Sequence, residues 1–250
     1  MAQNPRSCGH SGRNLYCQQE LTALSNYNKQ TPPTIKKLLL FPFNGNAREA
    51  ASVVEAINRQ QETWQLLGFI DDDPKKQGLR FGDYSVLGGR EHLERDKDTF
   101  VLAVPGRPET FRQRQALIAS LNMAPERFVS IIHPTASIGI DCTVGGNTLL
   151  MANVVLTANV SVGQSVVILP NTVIAHDSTL GDYCLVGASV SVSGGVTVGK
   201  NCYLGSGARI IQEASIGERS LIGLGAVVIN NVAAGSVMAG NPARIIRESR

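Results

Sequence analysis

Aromatic residues make up only 5% of this 250-residue chain, which has a single tryptophan and a formal net charge of just +3. A balance so near neutral offers no basic surface for nucleic acid or for a membrane. No apolar run approaches the ~20 residues that cross a bilayer. The N-terminus lacks the positively flanked apolar core of a signal peptide, so a cytoplasmic protein is expected. The five cysteines, Cys8, Cys17, Cys142, Cys184 and Cys202, are odd in number and never spaced as CxxC. That excludes a disulfide framework and argues against a zinc site. Cys8, His10 and Cys17 lie close in sequence, but no further ligands follow at a useful spacing, and no metal is expected.

What the chain has in quantity is a period. Every sixth residue from Ile132 to Val228 is a branched aliphatic, as in Ile138, Leu156, Ile174, Val192 and Ile210. The residue four further on is small or β-branched throughout, as in Ala136, Val154, Thr172, Cys184 and Ala208. A fixed short period of this kind marks a repeat architecture. β-branched runs broken by glycine read as short strands joined by tight bends. Three such strands close a triangular coil of eighteen residues, with the aliphatic side chain inside and the small one near the corner. Coils stacked about 4.8 Å apart pair their backbones with the coils above and below. Residues 132–239 are assigned to this solenoid. Cys184 and Cys202 stand one coil apart, and the expectation is a pair of reduced, buried space-fillers.

Upstream, residues 1–34 are polar and end in Thr31-Pro32-Pro33-Thr34, an extension expected to be partly disordered. Residues 35–131 alternate strands with helices. Strand signals lie at Lys36–Phe43, Trp64–Ile70 and Phe100–Val104, and helix signals at Asn46–Gln60 and Phe111–Leu121. This order implies a small Rossmann-like parallel sheet, whose ligands sit beyond the carboxyl ends of the strands. Those ends are Pro42–Asn46, Asp71–Asp73 and Pro105–Arg107. After the repeat, residues 240–250 form a C-terminal cap, with a short helix expected over Ile245–Arg250. A cap is needed because an open last coil is an exposed strand edge.

The eighteen-residue coil stacks residues into three corners. The first holds Ala158-Asn159, His176-Asp177, Gly194-Gly195 and Gln212-Glu213. The second holds Gln164-Ser165, Asp182-Tyr183, Lys200-Asn201 and Glu218-Arg219, and its charge predicts exposure to water. The third holds Pro170-Asn171, Ala188-Ser189, Ser206-Gly207 and Leu224-Gly225. Two uncharged corners suit three-fold assembly. A groove between the first corner of one copy and the third of the next suits an extended ligand. His176 sits at the first corner with Asp177 beside it and Gly194 one coil above, an arrangement expected to leave open space over the ring. A histidine there can accept a proton near neutrality, and a glycine N–H can face an oxyanion. The same pair also fits a solvated turn histidine beside an ordinary turn aspartate.

Several stretches carry a resemblance: Gly45-Asn46-Ala47-Arg48-Glu49, Gly68-Phe69-Ile70-Asp71-Asp72-Asp73-Pro74, Ile132-His133-Pro134-Thr135-Ala136, Ile174-Ala175-His176-Asp177, Ser193-Gly194-Gly195 and Gly240-Asn241-Pro242-Ala243-Arg244. In these the chain resembles the two-domain hexapeptide acetyltransferases, which include sialic-acid O-acetyltransferases and UDP-4-amino-sugar N-acetyltransferases. The implied fold class is α/β plus β: a Rossmann-like domain followed by a left-handed parallel β-helix. The resemblance implies acetyl-CoA as donor, a nucleotide-linked amino sugar as acceptor, and a homotrimer with active sites between subunits. It assigns the base to His176, its acidic neighbour to Asp177 and the oxyanion N–H to Gly194. Ser206, Leu224 and Gly225 fall along the pantetheine track, and Pro242 near the adenine end. Gly45, Asn46, Asp71 and Asp72 match the sugar-nucleotide loops. The chain departs from the pattern at Leu185, where many members carry a second histidine, and in the loops Pro42-Phe43-Asn44 and Val104-Pro105-Gly106-Arg107.

The function expected is an acetyl-CoA-dependent N-acetyltransferase acting on a nucleotide-linked sugar of the 4-amino-4,6-dideoxy type by direct transfer. The alternatives are O-acetylation of a sugar hydroxyl and a non-catalytic scaffold. A zinc hydratase on the same helix needs three histidine ligands, and the coils proper offer His176 alone.

Overall fold

In the computed structural model, residues 35–248 are described; the extension 1–34, with Cys8, His10 and Cys17, lies outside them. The first strand, β1 (Lys36–Phe41), runs through Leu38, Leu39 and Leu40, all buried, and is the centre of a parallel sheet. It is flanked by β2 (Trp64–Phe69) and β3 (Phe100–Ala103), in the order β2-β1-β3. Helix α1 (Gly45–Gln60) connects β1 to β2 and buries Ala47, Ala50, Ala51, Val53 and Val54. Its small buried face lets the helix lie close to the sheet. Asn44 caps it, with its side-chain oxygen accepting from the Ala47 N–H at 2.9 Å. A second helix, α2 (Arg114–Ala119), is shorter than the sequence suggests, because its first turn, Phe111–Gln113, is a 3-10 turn.

From Ile131 the chain becomes a parallel β-solenoid of two-residue strands. Partners are eighteen residues apart until the last coil, for example Val155 with Val173 and Val173 with Ser191, and sixteen apart where Leu221 pairs with Val237. The prism has a six-stranded face from Ser137–Ile138 to Val227–Val228, a five-stranded face from Thr143–Val144 to Ser215–Ile216, and an eight-stranded face. The periodic aliphatics fill the prism, with Leu156, Ile168, Ile174, Val186, Leu204 and Ile222 all 0% exposed. Every sixth residue from Asp141 to Gly225 takes a left-handed backbone conformation, with φ of 59° at Asp177 and 64° at Gly225. These residues turn the corners. Two residues before many of them stands a glycine pressed against the next coil: a Cβ at Gly163 or Gly181 would come within 2.7 Å of that coil's backbone.

Two features depart from the sequence-based expectation. The segment Ala243–Glu248 is a strand, β5, not a helix; it pairs antiparallel with β4 (Ser236–Gly240). The turn at Asn241-Pro242 sends the chain back along β4, and the hairpin closes the eight-stranded face, whose last edge needed a partner. The second corner does not simply face water, because the segment Arg112–Gln115 lies along it. Arg114 donates to the carbonyls of Ser165 at 2.5 Å and Tyr183 at 3.1 Å, and Arg112 Nε–H donates to Arg219 O at 3.0 Å. Asn201 Nδ2–H donates to Gln115 Oε1 at 3.1 Å. The physical reason is that the coil ladder leaves the carbonyls of these left-handed residues unused, so they are open to side-chain donors. Cys142, Cys184 and Cys202 are free thiols, the last two fully buried in the prism.

Candidate functional site

Residues at the first corner form a short relay. Asp177 occupies a left-handed turn position, φ 59°, which aspartate tolerates better than most residues. One carboxylate oxygen, Oδ2, lies 2.7 Å from His176 Nδ1. The other, Oδ1, accepts a 2.8 Å hydrogen bond from Asn159 Nδ2, one coil below. These two bonds, Asn159's first, hold the Asp177 carboxyl below the usual carboxylate range. A carboxylate facing Nδ1 places the proton there and leaves the Nε2 lone pair free. The imidazole is exposed, at 68%.

Gly194 covers the ring from the coil above. The space over the imidazole is not open, as expected from sequence, but is taken up by the contact itself: a Cβ at Gly194 would lie 2.6 Å from both Cε1 and Nε2. Glycine is what permits the ring to sit there. Gly194 O accepts from Glu213 N–H at 2.9 Å, while among the described residues the Gly194 N–H has no acceptor.

Of the third-corner residues, Leu224 is 73% exposed, and a Cβ on Gly225 would meet nothing within 4 Å. Ser206 Oγ is occupied, accepting from Ala188 N–H at 3.1 Å. Pro242 is exposed in the turn of the terminal hairpin. The six-stranded face lies between this corner and the first. Its outward side mixes apolar residues, with Val173 at 38%, Ile229 at 42% and Ile211 at 44% exposure, with the exposed Ser137, Ser191 and Arg209.

A cavity of about 620 Å³ opens between the carboxyl ends of β1 and β3 and the eight-stranded face. Its lining includes Asn44, Gly45 and Asn46 at the start of α1, the cations Lys76 and Arg107, and the apolar Leu117, Leu169 and Leu185 with Tyr203. The N-terminus of a sixteen-residue helix favours an anion, and the two cations of the lining are paired, Lys76 with Asp71 at 2.8 Å and Arg107 with Glu109 at 3.5 Å. Asn46 Nδ2–H donates to the carbonyls of Val104 at 3.3 Å and Gly106 at 3.4 Å, which fixes the loop after β3. Arg114, also in the lining, is 1% exposed and bonded to the Pro105, Ser165 and Tyr183 carbonyls. Burial pulls its guanidinium down to about 10, so it still carries its charge at neutral pH.

Gly45 and Asn46 thus line the cavity, whereas Asp71 and Asp72 do not. Asp71 is buried and its oxygens accept from Phe43 N–H, Asp73 N–H and Lys76 Nζ. Asp72 is paired with Arg90 at 2.5 Å, and that hydrogen bond holds its carboxyl low. The two carboxylates shape the loops around the cavity. Sequence reasoning missed Asn159, Lys76 and Arg114. For Asn159 the signal was present, because its eighteen-residue offset from Asp177 stacks the two. Among the described residues, no group of three or more His, Cys, Asp or Glu side chains could hold a metal ion, and no helix is long and apolar enough to cross a membrane.

The repeat region matches the family described as bacterial transferase hexapeptide (six repeats), over residues 159–194 and 177–212. The chain thus joins an N-terminal parallel sheet to a solenoid built of hexapeptide repeats. Among solved structures, the chain is similar to PerB from Caulobacter crescentus, determined in complex with CoA and GDP-perosamine. The two are 26% identical with a TM-score of 0.72, over 85% of this chain and 97% of that one. The acetyltransferase domain of PglB from Neisseria gonorrhoeae is 24% identical with a TM-score of 0.74, over 84% of this chain and 100% of that one. WeeI from Acinetobacter baumannii is 24% identical with a TM-score of 0.70, over 85% of this chain and 100% of that one. No curated protein matches the sequence significantly.

Proposed function

We propose that this protein is an acetyl-CoA-dependent N-acetyltransferase whose acceptor is the amino group of a nucleotide-linked sugar, of the 4-amino-4,6-dideoxy type. The observation that carries this reading is the first corner: an exposed imidazole with Nδ1 held 2.7 Å from Asp177 and Nε2 tucked under Gly194. The similarity to PerB, solved with CoA and GDP-perosamine, supports the choice of donor and acceptor class.

His176 Nε2 takes the proton from the acceptor nitrogen as that nitrogen attacks the thioester carbon. Asp177 keeps the ring in the tautomer that can do so and stabilises the imidazolium that forms. General-base help of this kind contributes roughly 10²–10⁴-fold. The free Gly194 N–H stabilises the oxyanion. As the tetrahedral intermediate collapses, the carbon–sulfur bond breaks and the imidazolium returns the proton to the departing thiolate. Cys184 and Cys202 are buried in the prism, away from this corner, so no acyl-enzyme on cysteine is needed. The cavity beside α1 takes the acceptor's phosphates, with Lys76 and Arg107 supplying charge and Gly45 and Asn46 the helix N-terminus. The donor runs along the third corner past Ser206, Leu224 and Gly225 toward Pro242.

His176 stands at the corner between the six- and five-stranded faces, while the cavity lies on the eight-stranded face. One chain therefore carries the two halves of the site on different sides. A homotrimer closing on the six-stranded face brings the first corner of one copy to the third corner of the next.

The test is mass spectrometry of products from acetyl-CoA and a panel of UDP-, dTDP- and GDP-linked amino sugars. An acetyl group that survives mild alkali is an amide and supports the proposal. An alkali-labile acetyl is an ester and makes this an O-acetyltransferase. No product, with no CoA binding by calorimetry, points to a scaffold.

A further inference from the structure

The first and third corners stack asparagines in the same way, yet the two stacks end differently. At the third corner Asn153 Nδ2–H donates to Asn171 Oδ1 at 3.1 Å, a neutral pair that leads nowhere. At the first corner Asn159 Nδ2–H donates to Asp177 Oδ1 at 2.8 Å, and the other oxygen of that carboxylate holds His176 Nδ1. The backbone pins Asn159 in place: its N–H donates to Ile140 O at 2.9 Å, and its φ of 51° is a left-handed turn value. A carboxylate on an exposed turn has two soft rotations. Binding one oxygen to a fixed donor removes that freedom and aims the other oxygen.

We infer that Asn159 is a positioning residue for the transfer reaction, acting through Asp177 to fix the orientation and tautomer of His176. This rests on the assignment of His176 as the base. The other charged side chains of this corner are Asp141, one coil below Asn159, and Glu213, two coils above Asp177, and neither bonds to the pair among the described residues. Asn159 is therefore the one neutral donor holding Asp177 from below. Nothing in the solenoid's coil ladder requires its amide, because the backbone bond to Ile140 is made by any residue.

The decisive variant is Asn159→Gly, which keeps the left-handed turn and deletes only the donor. Nitrogen-15 spectra of histidine-labelled protein read the tautomer without any acceptor, with the His176 signals identified by their loss in His176→Ala. The wild type should show protonated Nδ1 and free Nε2, and Asn159→Gly a mixture of tautomers. Turnover in Asn159→Gly should fall roughly three- to tenfold, as for loss of one exposed charge-assisted bond, with the KM for acetyl-CoA unchanged. In the His176→Ala background the same change should have no further effect.

An unaltered tautomer signal with wild-type kcat in Asn159→Gly overturns the inference while leaving the base assignment intact. A multiplicative loss in the double variant also overturns it, since Asn159 would then act by another route. Wild-type kcat in His176→Ala removes the base assignment and this inference with it. A lowered melting temperature with unchanged His176 signals would reduce Asn159 to a structural turn residue.

Discussion

Replacing Gly194 by alanine adds a single methyl group at the one place where the coil above touches the imidazole. That methyl would lie 2.6 Å from His176 Cε1 and Nε2 and 3.1 Å from Nδ1. Carbon contacts become favourable only near 3.5 Å, so the ring must move by about 1 Å. The ring is 68% exposed and can swing away, and that motion strains the 2.7 Å approach of Nδ1 to Asp177. A misplacement of about 1 Å in a reacting group can cost about 10² in rate. The backbone gives no reason for unfolding, because Gly194 is not among the left-handed residues and its carbonyl bond to Glu213 N–H is untouched. Gly194→Ala should therefore fold as the wild type, keep its CoA affinity and lose about 10² in kcat, measured by release of CoA thiol. His176→Ala should lose roughly 10²–10⁴. The test of mechanism is the double variant. If the methyl acts only by displacing the ring, Gly194→Ala adds nothing once the ring is gone, and the double equals His176→Ala. Independent effects would instead multiply. A multiplicative double, or a fully active Gly194→Ala, would refute the placement of the base beneath this glycine.

Val173→Arg adds a second charge to the six-stranded face, which already carries Arg209; if the proposed trimer closes there, light scattering should show a monomer and activity should fall more than tenfold. An unchanged mass would remove that face from the interface. Cys184→Ser buries a hydroxyl where the thiol donates to Gly199 O at 3.2 Å; stability should drop by about 1–2 kcal/mol in urea melts with kcat unchanged. Lost turnover in a folded Cys184→Ser would mean that the prism interior takes part in the reaction. Asp72 and Asp177 are held low by hydrogen bonds from Arg90 and from Asn159 and His176. Because their folded values lie below the unfolded value of about 3.9, their contribution is complete above that pH and is lost as pH falls through the folded values. The part of the melting temperature owed to these two carboxylates should thus hold down to about pH 5 and decline below about 4, and Arg90→Ala should weaken that decline.

The solenoid was legible because its constraint is local and repeats: an aliphatic at every sixth position can mean only one side of a short strand. The left-handed corners were legible too in principle, since Asn147, Asn153, Asn159, Asn171 and Asn201 mark them at the same period. The stacked relay His176–Asp177–Gly194 followed from the eighteen-residue offset alone. What escaped was set by contacts between segments far apart in sequence. Ala243–Glu248 has enough branched residues for either state, and pairing with Ser236–Gly240 decided for strand. The seating of Arg112–Gln115 on the second corner depends on free carbonyls, which no side-chain pattern reveals. Asp71 reads as a loop carboxylate ready for a ligand, and only coordinates show that Phe43 N–H and Lys76 have already taken it.

That seating changes how the solenoid should come apart. A repeat array whose coils touch only their neighbours frays from its ends, each coil melting in turn. Here one short stretch ties Ser165, Tyr183, Asn201 and Arg219, one residue from each of four successive coils. It works as a brace across the stack. No coil between 164 and 219 can swing away without breaking a bond to the helical segment that follows β3, so the melting of these coils becomes a single concerted event coupled to that segment. Pulled from its C-terminus, the chain should yield its terminal hairpin and the last coil first, and then resist until the brace gives way.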